Sequence, residues 1–190
     1  MRVISGSAKG TVLFSPKNGL QTRPTADSVK ESLFNILENN FFCLDSVRVL
    51  DLFAGTGAVG AEALSRGASE CVFVELSGAV ADIIKRNVQK IKLSNKCGVI
   101  IADAYTCTGK LCPPFDFVFI DPPYNQPAEM LLRLFSSLHK DRIIAKDGVV
   151  CLEQQAKENI PDFEGTGYIK IKKTYVYSNA KLTFFQTERE

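Results

Sequence analysis

The sequence predicts an α/β fold, a Rossmann-like sheet of seven strands that is parallel over its first five and carries helices on both faces. Three observations predict it. From about residue 47 short apolar runs alternate with helical stretches, the pattern of successive βαβ units. The runs are apolar at consecutive positions, as in strands buried on both faces. Residues 168–186 instead read as two strands joined by Ser178-Asn179-Ala180, so the last two strands should be antiparallel.

The elements follow in order. Residues 2–5 and 11–14 read as a hairpin around Lys9-Gly10, and Thr25 or Asp27 starts a helix with Val29, Leu33, Phe34 and Leu37 on one face. This hairpin-helix arm, residues 1–40, precedes the main domain, residues 41–190. Val47–Phe53 reads as the first strand. Ala58–Arg66 is a helix that Gly67 stops, and Cys71–Glu75 is the second strand. Ser77 caps a helix to about Ile91 with Val80, Ile83, Ile84, Val88 and Ile91 on its inner face. Gly98–Ala102 and Phe115–Ile120 are strands three and four. A helix over Glu129–His139 and a strand over Gly148–Glu153 complete the parallel part.

Composition narrows the class. The chain has 190 residues, 45% hydrophobic and 23% charged, which suits one domain with a real core. No apolar run reaches the ~18 residues of a membrane span. Met1–Gly6 has no apolar stretch behind its charge, so no signal peptide is expected. Six cysteines form no Cys-x-x-Cys pair and His139 is the single histidine, so no metal site is expected. Cysteines within apolar runs fit a reduced, cytoplasmic protein. Net charge is +2, distributed as +4 over residues 1–30, −5 over 31–165 and +3 over 166–190. Basic ends on an acidic body suit a polyanionic partner or a merely solvated surface.

Two segments carry chemistry. After the first strand, Gly55, Gly57 and Gly60 match G-x-G-x-x-G, and Glu75 follows Gly55 by twenty residues. That is the dinucleotide fingerprint, with Glu75 placed to hold ribose hydroxyls. Asp51, before the glycines, weighs against a pyrophosphate and suits a cationic ligand instead. Gly60 also reads as a packing residue for the helix on the sheet. After the fourth strand comes Asp121-Pro122-Pro123-Tyr124. The prolines remove two backbone donors, leaving the Pro122 carbonyl and the Asp121 carboxylate as acceptors for an amine on a planar base. Holding that amine's hydrogens turns its lone pair toward an incoming methyl group. Tyr124 offers a face for the base to stack on.

Asp51-x-Phe53-Ala54-Gly55-Thr56-Gly57 resembles the first motif of the class I S-adenosylmethionine-dependent methyltransferases. The resemblance implies that this loop passes the methionine part of the cofactor, that Glu75 takes the ribose, and that Asp103, followed by Ala104, accepts from the adenine amino group. Asp103 also reads as a simple turn cap. Asp-Pro-Pro-Tyr is similar to the motif of amino methyltransferases. Met1–Gly6, Lys9-Gly10, Arg23–Leu37 and Leu64–Ala68, with the glycine loop, resemble the RsmD family of small-subunit (16S) ribosomal RNA guanine-N2 methyltransferases. That resemblance implies S-adenosylmethionine as cofactor and Asp121, Pro122, Pro123 and Tyr124 as catalytic residues. Ribosomal RNA or the small subunit is then the implied partner; the basic arm is expected to contact it through Arg2, Lys9, Arg23, Thr25 and Lys30, and a monomer is expected. Ser28 stands where the family usually has arginine, and Tyr175–Asn179 is a loose match to its Tyr-Gly turn. A DNA-adenine or protein-glutamine methyltransferase, a non-catalytic RNA-binding protein and, more distantly, a dehydrogenase are the alternatives.

Overall fold

The computed structural model describes residues 1–16, 26–163, 166, 169–177 and 179–187. Its central strand is β1 (Arg48–Leu52), flanked by β2 (Glu70–Glu75) and β4 (Phe115–Ile120). Beyond β2 lies β3 (Cys97–Ile101). Beyond β4 come β5 (Ile144–Gln155), β7 (Ala180–Thr187) and β6 (Ile169–Val176), giving the order β3-β2-β1-β4-β5-β7-β6. The first five strands are parallel, and β7 runs antiparallel to both β5 and β6.

Alternating residues of the inner strands bury two cores. Val49, Phe73, Phe117 and Phe119 face helices α1 (Asp27–Asn40), α2 (Ala58–Ser65) and α3 (Gly78–Lys90). Leu50, Leu52, Val118 and Ile120 face α4 (Ala128–Lys140). The side chain of Ser77 accepts from Val80 N and caps α3, and all five apolar residues expected on its inner face are buried. No described helix is long and apolar enough to cross a membrane.

Three expectations need adjustment. Strand β5 begins four residues before Gly148, because its pairing with β4 shifts register between Phe115 and Phe117. A Cβ on Gly148 would stand 2.7 Å from Ile144, so glycine permits the irregularity that polar Lys146-Asp147 hid from the apolar pattern. The expected N-terminal hairpin is present as one bridge, Arg2 with Val12, with bonds from Val3 N to Thr11 O, Gly10 N to Val3 O and Leu13 N to Met1 O. Other donors of the segment turn to α2: Ile4 N and Ser5 N donate to the Glu62 carboxylate, at 2.7 and 2.9 Å, and Ala8 N donates to Ser65 Oγ. Gly6, at φ +81°, passes so close to Ser65 that a Cβ would meet its carbonyl oxygen at 1.8 Å. Helix α1 starts at Asp27; Thr25, the other candidate start, lies outside the described residues, as do Arg23 and part of the Ser178-Asn179-Ala180 turn.

The third adjustment concerns Lys30. Charge counting made it an RNA contact, but it is fully buried. Its ammonium donates to Arg2 O at 2.5 Å and lies 3.7 Å from both Glu62 and Asp27. Burial lowers its pKa, and the two carboxylates oppose that shift. Lys30 therefore anchors the first residues onto α1 and α2 and has no surface to offer a phosphate. Glu62, equally buried, also accepts from Arg66 Nε at 2.9 Å. Removing one partner of such a cluster strands the other charge. Glu62→Ala should cost about 3–5 kcal/mol in urea unfolding. Lys85→Ala, which breaks only the exposed pair with Asp82, should cost about 0.2–1 kcal/mol. Equal losses would show that the Glu62 cluster is no anchor.

Candidate active site

The strand order reverses at β1: the chain moves outward through β2 and β3, then returns to place β4 on the other side. Ligand crevices form at the carboxyl ends of strands at such a reversal. Leu52 pairs with Ile120, so the next residues, Phe53 and Asp121, emerge side by side. The loops after β1, β2, β3 and β4 enclose a cavity of about 850 Å³. Of the residues expected at the site, Phe53, Gly55, Glu75, Asp103, Ala104, Asp121, Pro122, Pro123 and Tyr124 line it.

Glu75 is fastened by both oxygens. Oε2 accepts from Gly55 N and Oε1 from Ser77 N, each at 2.9 Å. Each oxygen keeps a second lone pair, so the carboxylate can still accept from a ligand hydroxyl. Asp103 accepts from Tyr105 N at 2.9 Å, so it caps its turn, and it also lines the cavity. Asn125, at φ +59°, turns the chain after Tyr124, and its amide donates to Glu158 at 3.2 Å.

Four expected cofactor residues stand behind the loop rather than on the cavity wall. Asp51 is almost wholly buried, and its Oδ2 accepts from Gly60 N at 3.0 Å. It thereby caps α2 from β1, where Gly57, the helix N-cap, has no side chain to do so. Burial, with a smaller contribution from Glu75, pushes the Asp51 pKa up to about 8. It does not meet a ligand as an exposed carboxylate. Ala54 N donates to Val74 O, and Thr56 is buried with its carbonyl accepting from Asn87 Nδ2 at 2.9 Å. Gly57, at φ +74°, has Phe73 and Ile84 within 3.1 Å of where a Cβ would be. Gly60 is tighter still, with Phe73 at 2.2 Å, which bears out its reading as a packing residue.

Sequence reasoning missed Tyr105, Leu76, Ser77, Val80 and Met130, which also line the cavity. Tyr105 packs edge-on against Phe53 at 5.0 Å. Its hydroxyl is buried with no hydrogen-bond partner among the described residues, and burial, aided by Asp103, pushes its pKa up to about 12. It therefore stays a protonated donor. An aromatic two residues past Asp103, at the carboxyl edge of β3, was the available signal. Arg2 and Lys9 are exposed and away from the cavity lining, and Arg2 lies 3.9 Å from Asp27.

The lining has one sign. Glu75, Asp103 and Asp121 contribute carboxylates, and no Lys or Arg stands among its described residues. The Gly60 donor near the start of α2 is already taken by Asp51. A pyrophosphate would find neither cation nor that donor here, whereas a cationic ligand bearing hydroxyls and an amino group would find acceptors.

Sheet order, glycine loop and acceptor-lined crevice together define a protein of the α/β methyltransferase class. The solved structure of the yhhF protein from Escherichia coli superposes with a TM-score of 0.84 at 28% identity, covering 100% of this chain and 99% of that one. YlbH of Bacillus subtilis is 36% identical over 92% of this chain and 94% of its own. Ribosomal RNA small subunit methyltransferase D of Escherichia coli K12 is 32% identical over 85% of this chain and 78% of its own. A family described as "Conserved hypothetical protein 95" matches residues 1–186. The chain belongs to this family, the RsmD family.

Asp51 supplies a test of the buried cap. Its pKa rises from 3.8 to about 8 on folding, so between those values the folded state holds a proton that the unfolded state has lost. The associated stability is present below the lower value and is lost as pH rises through the upper one. Asp51→Asn cannot titrate. Urea midpoints measured at about pH 5 and about pH 8 should fall more for wild type than for Asp51→Asn. Parallel profiles would mean that Asp51 is not a buried, proton-holding cap.

Proposed function

We propose that this protein transfers a methyl group from S-adenosylmethionine to the exocyclic N2 of a guanine in small-subunit ribosomal RNA. The observation that carries the reading is the crevice itself, with three carboxylates, no described cation and Asp121-Pro-Pro-Tyr124 at its mouth. Membership of the RsmD family, and relatives named for small-subunit ribosomal RNA methylation, support the substrate class.

The residues present fit the cofactor. Glu75 accepts from ribose hydroxyls, Asp103 accepts from the adenine amino group, and Phe53 and Tyr105 supply aromatic surface. When bound, S-adenosylmethionine supplies a methyl group on a positively charged sulfur. Asp121 and the Pro122 carbonyl hold the two hydrogens of the guanine amine, which turns the nitrogen lone pair toward that methyl. The amine needs no strong base beforehand, because methylation makes its N–H acidic and the proton then leaves toward the Asp121 carboxylate. Tyr124 stacks on the guanine. Residues 1–40 form an RNA-contacting arm on a methyltransferase domain of residues 41–190, with Arg2 and Lys9 as its described exposed cations and Arg23 and Thr25 as further contacts. The protein works as a monomer in the cytoplasm, which is in keeping with its free cysteines.

Nucleoside mass spectrometry of ribosomal RNA from cells lacking the protein should show loss of one N2-methylguanosine. An intact methylguanosine profile with loss of a methyladenine or methylglutamine elsewhere would redirect the assignment. Within the site the roles separate. Glu75→Ala should weaken S-adenosylmethionine binding in calorimetry by about 1.5–3 kcal/mol. Asp121→Ala should depress turnover far more than cofactor affinity. Tyr124→Ala should lose roughly 1–3 kcal/mol of interaction with the base, while Tyr124→Phe keeps most activity.

A further inference from the structure

Averaged over residues 31–165 the body of the chain is acidic, but one stretch within it is not. Residues 83–102 carry Lys85, Arg86, Lys90, Lys92 and Lys96 and no acid, and residues 1–16 carry Arg2 and Lys9 and no acid. The fold joins the two stretches. Phe14 N donates to Asn87 Oδ1 at 2.7 Å and Asn87 Nδ2 donates back to Phe14 O at 3.1 Å. Lys90 Nζ donates to Val12 O at 2.6 Å. The Arg86 guanidinium and the Lys90 ammonium lie over the Phe14 ring, 4.3 and 4.5 Å from its centroid.

The resulting surface pairs cations with exposed apolar groups. Lys85, Arg86, Lys90 and Lys92 are exposed. Among the described residues, Lys85 is the one of α3's cations that pairs with a carboxylate, Asp82 at 2.9 Å. Beside them Val12 and Phe14 stand 61% and 37% exposed. Arg86, Lys90 and Lys92, which pair with no carboxylate among the described residues, stand with Lys85 beside an aromatic ring, and such a face matches the two parts of an unpaired RNA strand, its phosphates and its bases.

The face also leads to the crevice. Ser77 and Val80, on the first turn of α3 and just before it, line the cavity, and Arg86 follows Val80 by about 9 Å at 1.5 Å per residue. Asn87, which holds Phe14, also donates to Thr56 O in the glycine loop. We propose that the outer side of α3 and the segment ending at Phe14 form one RNA-docking face, where Lys85, Arg86 and Lys92 bind phosphates of the substrate strand and Phe14 receives a base. This rests on the methylation reading above and adds where the RNA lies on its way to the crevice.

The test compares two charge-matched variants. Lys85→Gln/Arg86→Gln/Lys92→Gln alters the proposed face. Lys140→Gln/Arg142→Gln/Lys146→Gln removes three exposed cations from the end of α4 and the start of β5. Each is titrated with a small-subunit ribosomal RNA transcript across a range of salt, with assembled small subunits from cells lacking the protein, and with S-adenosylmethionine as a check on folding. The α3 variant should bind the transcript at least about tenfold more weakly, and its log–log salt slope should flatten by about 2, at about 0.7 per lost phosphate contact. The control variant should stay near wild type. Phe14→Ala should weaken transcript binding without changing the slope. Equal losses in both triple variants would reduce the effect to net charge and overturn the proposal. An α3 variant that keeps the transcript but loses assembled subunits would assign the face to an acidic protein surface, and would also overturn it. Should wild type bind no RNA and methylate none while holding S-adenosylmethionine, the substrate reading itself falls, and this one with it.

Discussion

The parallel pairing of β1 with β4, in the register that sets Leu52 against Ile120, is the constraint on which the site depends. It brings together segments about 70 residues apart at the point where the sheet changes direction. Their side chains are buried on both faces of the sheet, so a slip of register would bring the wrong residues into both cores. Everything chemical follows from where these two strands end. One releases the glycine loop, the other releases Asp121-Pro-Pro-Tyr124, and the crevice is the space between them.

A second pattern runs through the molecule: acidic side chains that accept from backbone amides. Asp51 takes Gly60 N, Glu62 takes Ile4 N and Ser5 N, Glu75 takes Gly55 N and Ser77 N, and Asp103 takes Tyr105 N. Burial divides them. Asp51 and Glu62 are closed off from solvent and serve the architecture, where an unpaired amide would be costly. Glu75 and Asp103 sit at the cavity wall, so the bonds that fix their orientation leave acceptor capacity for a ligand. The same residue type thus builds the scaffold and furnishes the site, and depth alone separates the two uses.

That distinction explains what could be read in advance. Phe115–Ile120 was legible to the residue because an apolar run broken only by Asp116 ends just before Asp121 and a proline pair, and Ser77 was legible because capping is a local property. Motif spacing likewise located Glu75, Asp103 and Asp121. Asp51 and Lys30 were misplaced for one shared reason. A linear pattern says that a charge is present but not how deeply a neighbouring element covers it, and here α2 covers both. The N-terminal hairpin is shorter than expected because the amides of Ile4, Ser5 and Ala8 find partners in Glu62 and Ser65, about 58 residues away in sequence. The basic run on α3 was hidden by averaging charge over a long acidic stretch.

Asn87 gives the first residues of the chain an unusual energetic standing. Chain ends commonly open at little cost, since few bonds hold them. Here one buried carboxamide bonds to Phe14 through both its oxygen and its nitrogen and to Thr56 through the same nitrogen, while Val3 and Leu13 pack with Ala58, Ala61 and Ile91. Peeling the segment away would expose that small core and strand a buried amide. Its opening is therefore tied to the loosening of α2 and α3, and in hydrogen exchange the Phe14 amide belongs with the protected interior rather than with a fraying end.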